Sequence, residues 1–253
     1  MMRFLSAEII DMSVVLIFLT IWFGYATFAR KMSKKRATLS SVLIILRIDW
    51  MRHLLERDNR ILDAALMGNI EKNINFFAST TLFIIAGALT ALTSAGTIHE
   101  IVQHVPWVWP QTVFVVQFKI LAIIVVLVYA FFKYTWALRQ YGFASVMIGA
   151  APNTDDPNAT EDMKKAFAVN AGKLIDQAQH NFNSGMRSYY FALSIVGWFI
   201  HPLLFIGLSL IVMRILYLRE FRSRSLKTLV DGLGMSQYYR DNPKTLKVNG
   251  PDN

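Results

Sequence analysis

The sequence predicts an all-α integral membrane helical bundle with four transmembrane helices and two amphipathic cytoplasmic segments, and three observations carry that prediction. Ser188 to Met213 runs for 26 residues without Asp, Glu, Lys or Arg. At about 1.5 Å per residue this is roughly 39 Å of helix, against the ~30 Å hydrocarbon core of a bilayer. Hydrophobic residues make up 54% of the chain and charged ones only 17%, too little charge to solvate a water-soluble domain of this length. Three more apolar stretches of spanning length lie upstream, and in lipid only a helix or a closed barrel satisfies its own backbone.

The first span covers about 9–29 and runs straight into Arg30, Lys31, Lys34, Lys35 and Arg36. Its leading residues set Arg3 against Glu8 and Asp11, and no small-residue cleavage site closes it, so it reads as an anchor and not a cleaved signal. The second, about 74–97, carries Gly87, Ala91 and Ala95 at four-residue spacing, a stripe that lets helices approach closely. The third, about 112–133, holds Lys119 in its early turns and closes at Lys133. The fourth, about 189–216, contains His201 and Pro202, a point where the helix can kink. Residues 1–227 read as one transmembrane domain. Residues 228–253, polar and punctuated by Gly232, Gly234, Pro243, Gly250 and Pro251, read as a flexible tail.

Two connections look amphipathic. Leu39 to Ile70 places Leu39, Leu43, Leu46, Trp50, Leu54, Ile61 and Ala65 on one side, with Arg52, Glu56 and Arg60 four apart on the other, as in a surface helix laced by ion pairs. A second segment starts near Asn158 after the breaker-rich GAAPNTDDPN loop and carries Met163, Phe167, Leu174 and Ala178. It can run on into the fourth span.

Ten Lys and Arg lie between Arg30 and Asn73 and six between Lys133 and Arg187, whereas the connection HEIVQHVPWVWPQ has neither. Positive-inside therefore expects both long loops in the cytoplasm and the N-terminus outside. With four spans, the Arg214, Arg219, Arg222, Arg224 and Lys227 cluster then falls on the disfavoured side. The net charge of +9 is spread beside apolar spans, which suits anionic lipid headgroups better than nucleic acid.

The strings RIDWMRHLLERDNRILDAALMGNIEKNINFFASTTLFIIAG (Arg47 to Gly87), FNSGMRSYYFALSIVGWFIHP and YLREFRSRS (within Phe182 to Ser225) resemble a bacterial membrane-protein family, domain of unknown function five-nine-nine. The resemblance covers most of the chain short of the tail. It implies a four-span bacterial inner-membrane protein and assigns no activity, cofactor or catalytic residue.

Candidate site residues fall into three groups. Arg57, Asp58, Asn59 and Arg60, with Asp63 and then Asn183 and Arg187 from the other cytoplasmic segment, are expected to form a juxtamembrane polar network, either a keystone of the fold or a docking surface. Lys119 and His201 are the intramembrane polar residues. Lys119 is expected to snorkel to the outer headgroups, and His201 to pack beside the Pro202 kink. Gly87, Ala91 and Ala95 are the packing stripe. A bis-His haem needs two imidazoles at similar depth, and only His201 lies within a span. His99 and His104, five apart, have poor spacing for a helical metal pair. No cysteine is present, and no phosphate loop, HExxH or serine elbow occurs.

The expected function is non-catalytic, with no catalytic residue, metal or cofactor: an accessory, structural or assembly subunit bound to the lipid bilayer and to other integral membrane subunits or itself. The alternatives are a homo-oligomeric channel or transporter for a small solute, and a quinone- or haem-associated subunit of a redox complex.

Overall fold

The computed structural model describes residues 2–32, 37–154 and 156–233. Among these the regular structure is helical, in the order α1 (Met2–Met32), α2 (Leu39–Leu55), α3 (Ile61–Thr93), α4 (Ala95–Gln103), α5 (Val113–Gly149), α6 (Glu161–Val196), α7 (Pro202–Phe221) and α8 (Arg224–Leu233), with a 3-10 turn, Gly197–Phe199, after α6. Four stretches are long and apolar enough to cross a membrane: Ile10–Ala29, Ile61–Thr93, Val113–Gly149 and Pro202–Gly232.

Side-chain caps set most helix starts. Thr38 and Ser41 form a reciprocal capping box at α2. The Thr112, Thr160 and Ser223 hydroxyls accept from Val115, Met163 and Leu226 N–H at the starts of α5, α6 and α8. Each satisfies a donor that the first helical turn leaves orphaned. Glu161 and Asp162 add negative charge at the N-terminal end of α6, where the helix dipole favours it.

The chain divides into two compact units. Unit 1 comprises Met1–Phe28, Phe77–Lys133 and Ser184–Leu216; unit 2 comprises Ala29–Phe76, Tyr134–Asn183 and Tyr217–Asn253. The core of unit 1 is aromatic. Val14, Phe18, Trp22 and Tyr25 on α1 are buried at helical spacing, and Phe18 meets Phe205 at 4.9 Å and Phe191 at 5.9 Å between ring centroids, while Trp22 meets Tyr129 at 5.3 Å. Aromatic pairs in this range add about 0.5–1.5 kcal/mol beyond area burial. In unit 2, Leu226 of α8 is buried against Val42 and Ile45 of α2, and the Ser40 N–H donates to Glu220 at 3.1 Å.

Three expectations need correction. The single helix expected over 189–216 is a hairpin. α6 stops at Val196 and α7 starts at Pro202. The Ser194 and Ser209 hydroxyls lie 3.1 Å apart, whereas fifteen residues of continuous helix would separate them by roughly 22 Å. Pro202 cannot donate and disfavours a helical residue before it. Gly197 makes room for the return helix, since a Cβ there would stand 2.6 Å from Leu208 Cδ1.

The amphipathic segment expected over 39–70 is also two helices, α2 and the start of α3, separated by residues 56–60. Its buried face is Val42, Ile45, Ile48, Met51, Leu54 and Leu55, rotated from the predicted stripe and sharing only Leu54 with it. The Arg52–Glu56–Arg60 ladder does not form: Arg52 pairs with Asp49, His53 with Glu56 and Arg60 with carbonyl oxygens.

The third correction concerns the tail. Residues 228–233, assigned to it, belong to α8 with Leu229 and Val230 packed on the α2 cluster; 234–253 lie outside the described residues. The second amphipathic segment is continuous with the α6 part of the fourth span, in one helix of 36 residues.

Candidate functional site: two polar clusters

The first cluster lies in unit 1. Lys119 is fully buried, and its Nζ donates to Gln111 Oε1 at 2.8 Å and to the Trp198 carbonyl at 2.9 Å. It also stands 5.2 Å from the Trp198 ring centroid, close enough for a cation–π contact. Trp198 Nε1 donates to Asp11 Oδ1 at 2.7 Å, so one indole residue joins a cation on α5 to a carboxylate on α1. Lys119 therefore does not snorkel. The turn after α6 brings acceptors to it, and burial with two good hydrogen bonds replaces the reach to headgroups.

His201 caps α7. Its Nδ1 accepts from the Leu203 N–H at 3.1 Å, and its ring meets Trp109 edge-on at 5.1 Å. The role foreseen for it, packing at the Pro202 break, is thus joined by a specific one: it satisfies a donor of the new helix.

The second cluster lies in unit 2. Asp63, in the first turn of α3, is fully buried and accepts on Oδ1 from Trp50 Nε1 at 2.7 Å and Arg57 Nη1 at 2.8 Å. Asp58 accepts from Thr154 at 2.9 Å, Asn59 Oδ1 accepts from the Ile61 N–H at 2.9 Å, and Arg60 donates to the Ala151 and Pro152 carbonyls at 3.0 and 2.6 Å. Asp58 and Arg60 clamp the turn before α3 to the loop after α5, while the Arg57 and Asn59 contacts stay local to that turn. Asn183 takes a different partner, accepting from Gln179 at 3.1 Å. Arg187 belongs to unit 1, donates to Ser184 at 3.3 Å, and lines a recess with Trp22, Tyr25, Tyr129 and Phe191.

Sequence reasoning missed Arg47 and Asp176, which form a close ion pair between α2 and α6. Burial holds the Asp176 carboxyl above its usual range, and the Arg47 charge opposes that shift. The nearby Tyr141 hydroxyl donates to Gln179 at 3.0 Å.

The packing stripe divides. Gly87 is exposed, with nothing within 4 Å of a Cβ built on it. Ala91 packs beside Val116, Ile120 and Ile124, and Ala95 is buried with them in α4. Among the described residues no group of three or more His, Cys, Asp or Glu is placed to hold a metal.

A helical chain with four apolar, membrane-length helices and polar side chains paired inside its units is a multi-pass membrane protein by class. The chain belongs to the family described as Protein of unknown function, DUF599, whose family model matches residues 13–225. No curated protein and no solved structure matches it.

Proposed function

We propose that the protein is a non-catalytic accessory or assembly subunit of a bacterial inner membrane, crossing the bilayer five times with the start of α1 outside and the connections from α1 to α3 and from α5 to the second half of α6 in the cytoplasm. The five crossings are α1, α3, α5, the second half of α6 and α7. On this reading the second half of α6 is an additional crossing. All Lys and Arg other than Arg3 and Lys119, twenty-four of 26, then fall in the cytoplasmic connections, in the C-terminal segment, or, as with Lys133, Arg187 and Arg214, near the cytoplasmic ends of the crossings. The conflict between the Arg214 to Lys227 cluster and the positive-inside rule disappears.

The observation that carries the association role is apolar exposure on unit 2. Ile61 is 74% exposed, Leu62 61%, Val146 74% and Met163 59%. Ile61, Leu62 and Val146 stand near the cytoplasmic ends of α3 and α5 and Met163 near the start of α6, where on this topology they lie beyond the lipid and mark an interaction surface. A second reading, self-association, draws support from Leu62, Leu66, Asn69, Asn73 and Phe76. They are exposed on α3 at alternating four- and three-residue spacing, the seam of a coiled coil with polar residues to set register.

The chain has no native cysteine, so single substitutions label cleanly. In intact cells a membrane-impermeant maleimide is expected to reach Val105→Cys, and to reach Thr228→Cys only after permeabilisation. Leu62→Cys and Val146→Cys should crosslink in native membranes, to a different polypeptide on the first reading and to a second copy on the other. Labelling of Thr228→Cys from outside would overturn the topology. Rapid labelling of Leu62→Cys and Val146→Cys by soluble maleimide, with no adduct, would overturn the association role.

A further inference from the structure

We propose that the corner where α7 gives way to α8 is a docking surface for anionic phospholipid headgroups. Only Arg222 and Ser223 separate the two helices. Arg219, Arg222, Arg224 and Lys227 lie within nine positions, and all four are exposed. Among the described residues no carboxylate comes within ion-pair distance of Arg222, Arg224 or Lys227. Glu220 instead accepts from the Ser40 N–H, and Asp231, on the next turn of α8, does not pair with Lys227. Cations crowded on one surface without counter-charge repel one another, and a negatively charged partner relieves that repulsion.

The packing of α8 narrows the partner. Its apolar face is taken up by α2, with Leu226 buried against Val42 and Ile45 and with Leu229 and Val230 beside it. What α8 presents outward is Arg224, Lys227 and Thr228, so contact is made through charge, not by insertion of an apolar face. The end of α7 sets the level of that contact. Tyr217 and Phe221 stack there with ring centroids 4.9 Å apart, and aromatic side chains at the end of an apolar helix sit at the boundary between bilayer and water. Arg222 follows at once. Its guanidinium and that of Arg224 can each meet two oxygens of a lipid phosphate, a planar match that an ammonium lacks. Single-stranded nucleic acid suits the corner less well, because it needs rings free for stacking, and Tyr217 and Phe221 are stacked on each other. The headgroup level assigned to the corner rests on the α7 crossing proposed above.

Thermal unfolding of the detergent-purified full chain, with dioleoylphosphatidylglycerol or dioleoylphosphatidylcholine added to the micelles, tests the surface. Phosphatidylglycerol is expected to raise the midpoint at a lower mole fraction than phosphatidylcholine, since a ligand that binds only the folded chain stabilises it. Each basic residue near an anionic surface is worth about fivefold in affinity. Arg222→Gln, Arg224→Gln and Lys227→Gln combined should therefore raise the half-saturating fraction of phosphatidylglycerol roughly tenfold or more. A matched variant, Lys164→Gln, Lys165→Gln and Lys173→Gln, loses the same charge from α6 and should bind as the parent does. Those positions precede Ser188 by 15 to 24 residues on one continuous helix, roughly 22–36 Å, against a screening length of about 8 Å.

If the corner variant loses its thermal transition, the parent alone decides: its preference for phosphatidylglycerol should disappear near ~1 M salt, where the screening length falls to about 3 Å. Equal effects of the two lipids on the parent, a preference that survives that salt, or the same half-saturating fraction for both triple variants overturns the proposal. Binding of duplex DNA that the corner variant abolishes, with no preference between the lipids, would assign the corner to nucleic acid and overturn it as well. A micelle has no inner or outer leaflet, so the docking surface can fail while the topology stands, and the reverse.

Discussion

Lys119→Met is expected to lower the stability of the protein by about 3–5 kcal/mol, because it removes a buried cation while leaving its partners buried. Met fills a similar length, so the loss is not one of volume. The Gln111 Oε1 and Trp198 carbonyl acceptors, at 2.8 and 2.9 Å from the ammonium, lose their charged donor, at about 1.5–3 kcal/mol for each such bond. Asp11, the carboxylate whose field acts on Lys119, keeps its hydrogen bond from Trp198 and loses its counter-charge. Thermal unfolding of the purified protein in detergent should show a midpoint lower by on the order of 10 °C. Lys173→Met, at an exposed position of α6, should stay within about 0.5 kcal/mol of the parent. Adding Asp11→Asn to Lys119→Met should recover part of the loss, since the amide oxygen still accepts from Trp198 without an unpaired charge. Equal midpoints for the parent and Lys119→Met would show that the cluster carries no stability.

How far the fold is legible in the sequence follows from what hydropathy measures. A run of apolar residues reports environment, so the membrane class and the location of the apolar stretches are readable from it. It does not report direction. Ser188 to Met213 is equally apolar whether it goes straight through or turns back, and the turn depends on Gly197, His201 and Pro202 acting together with a return helix that packs Phe205 on Trp198 at 5.2 Å. Within that stretch Ser188 and Ser194 are buried with their hydroxyls on carbonyls of the same helix, so neither marks the turn that follows.

The polar clusters divide along the same line. Arg57, Asp58, Asn59 and Arg60 are adjacent in the chain, so their density was visible, but the partners of Asp58 and Arg60 stand more than 90 positions away in the loop after α5. The Asp11 to Trp198 bond joins residues 187 positions apart, and no spacing rule points from one to the other. Lys119 was visible as an anomaly, but its partners were not. A buried polar network is written in tertiary contacts, and a single sequence shows only its most expensive member.

Glycine spacing misled in a way that yields the second large effect. Gly172→Ala is expected to destabilise by about 2 kcal/mol net, whereas Gly87→Ala, in the predicted stripe, should be neutral or stabilising by up to about 1 kcal/mol. Four-residue spacing shows that a close approach is permitted on one helix face, and does not show whether a neighbour makes it. At Gly87 none does: a Cβ there meets nothing within 4 Å, so alanine brings only its better helix propensity. At Gly172, α6 meets α2, and a Cβ would stand 2.7 Å from Ile48 Cγ1, 2.9 Å from its Cα and 3.0 Å from its backbone nitrogen. A side-chain rotation can relieve the first contact. The other two require the α2 backbone to move, together with Ile45, Ile48 and Met51, which are buried on that helix. Gly172→Val should be worse, costing more than about 3 kcal/mol, because a branched side chain cannot retract from a backbone. Adding Ile48→Ala to Gly172→Ala should restore little, since it removes the flexible contact and leaves the rigid ones. Thermal unfolding of the five proteins in one detergent decides the matter: a Gly172→Ala midpoint at or above that of Gly87→Ala would mean that α2 and α6 do not approach each other as closely as the glycine implies.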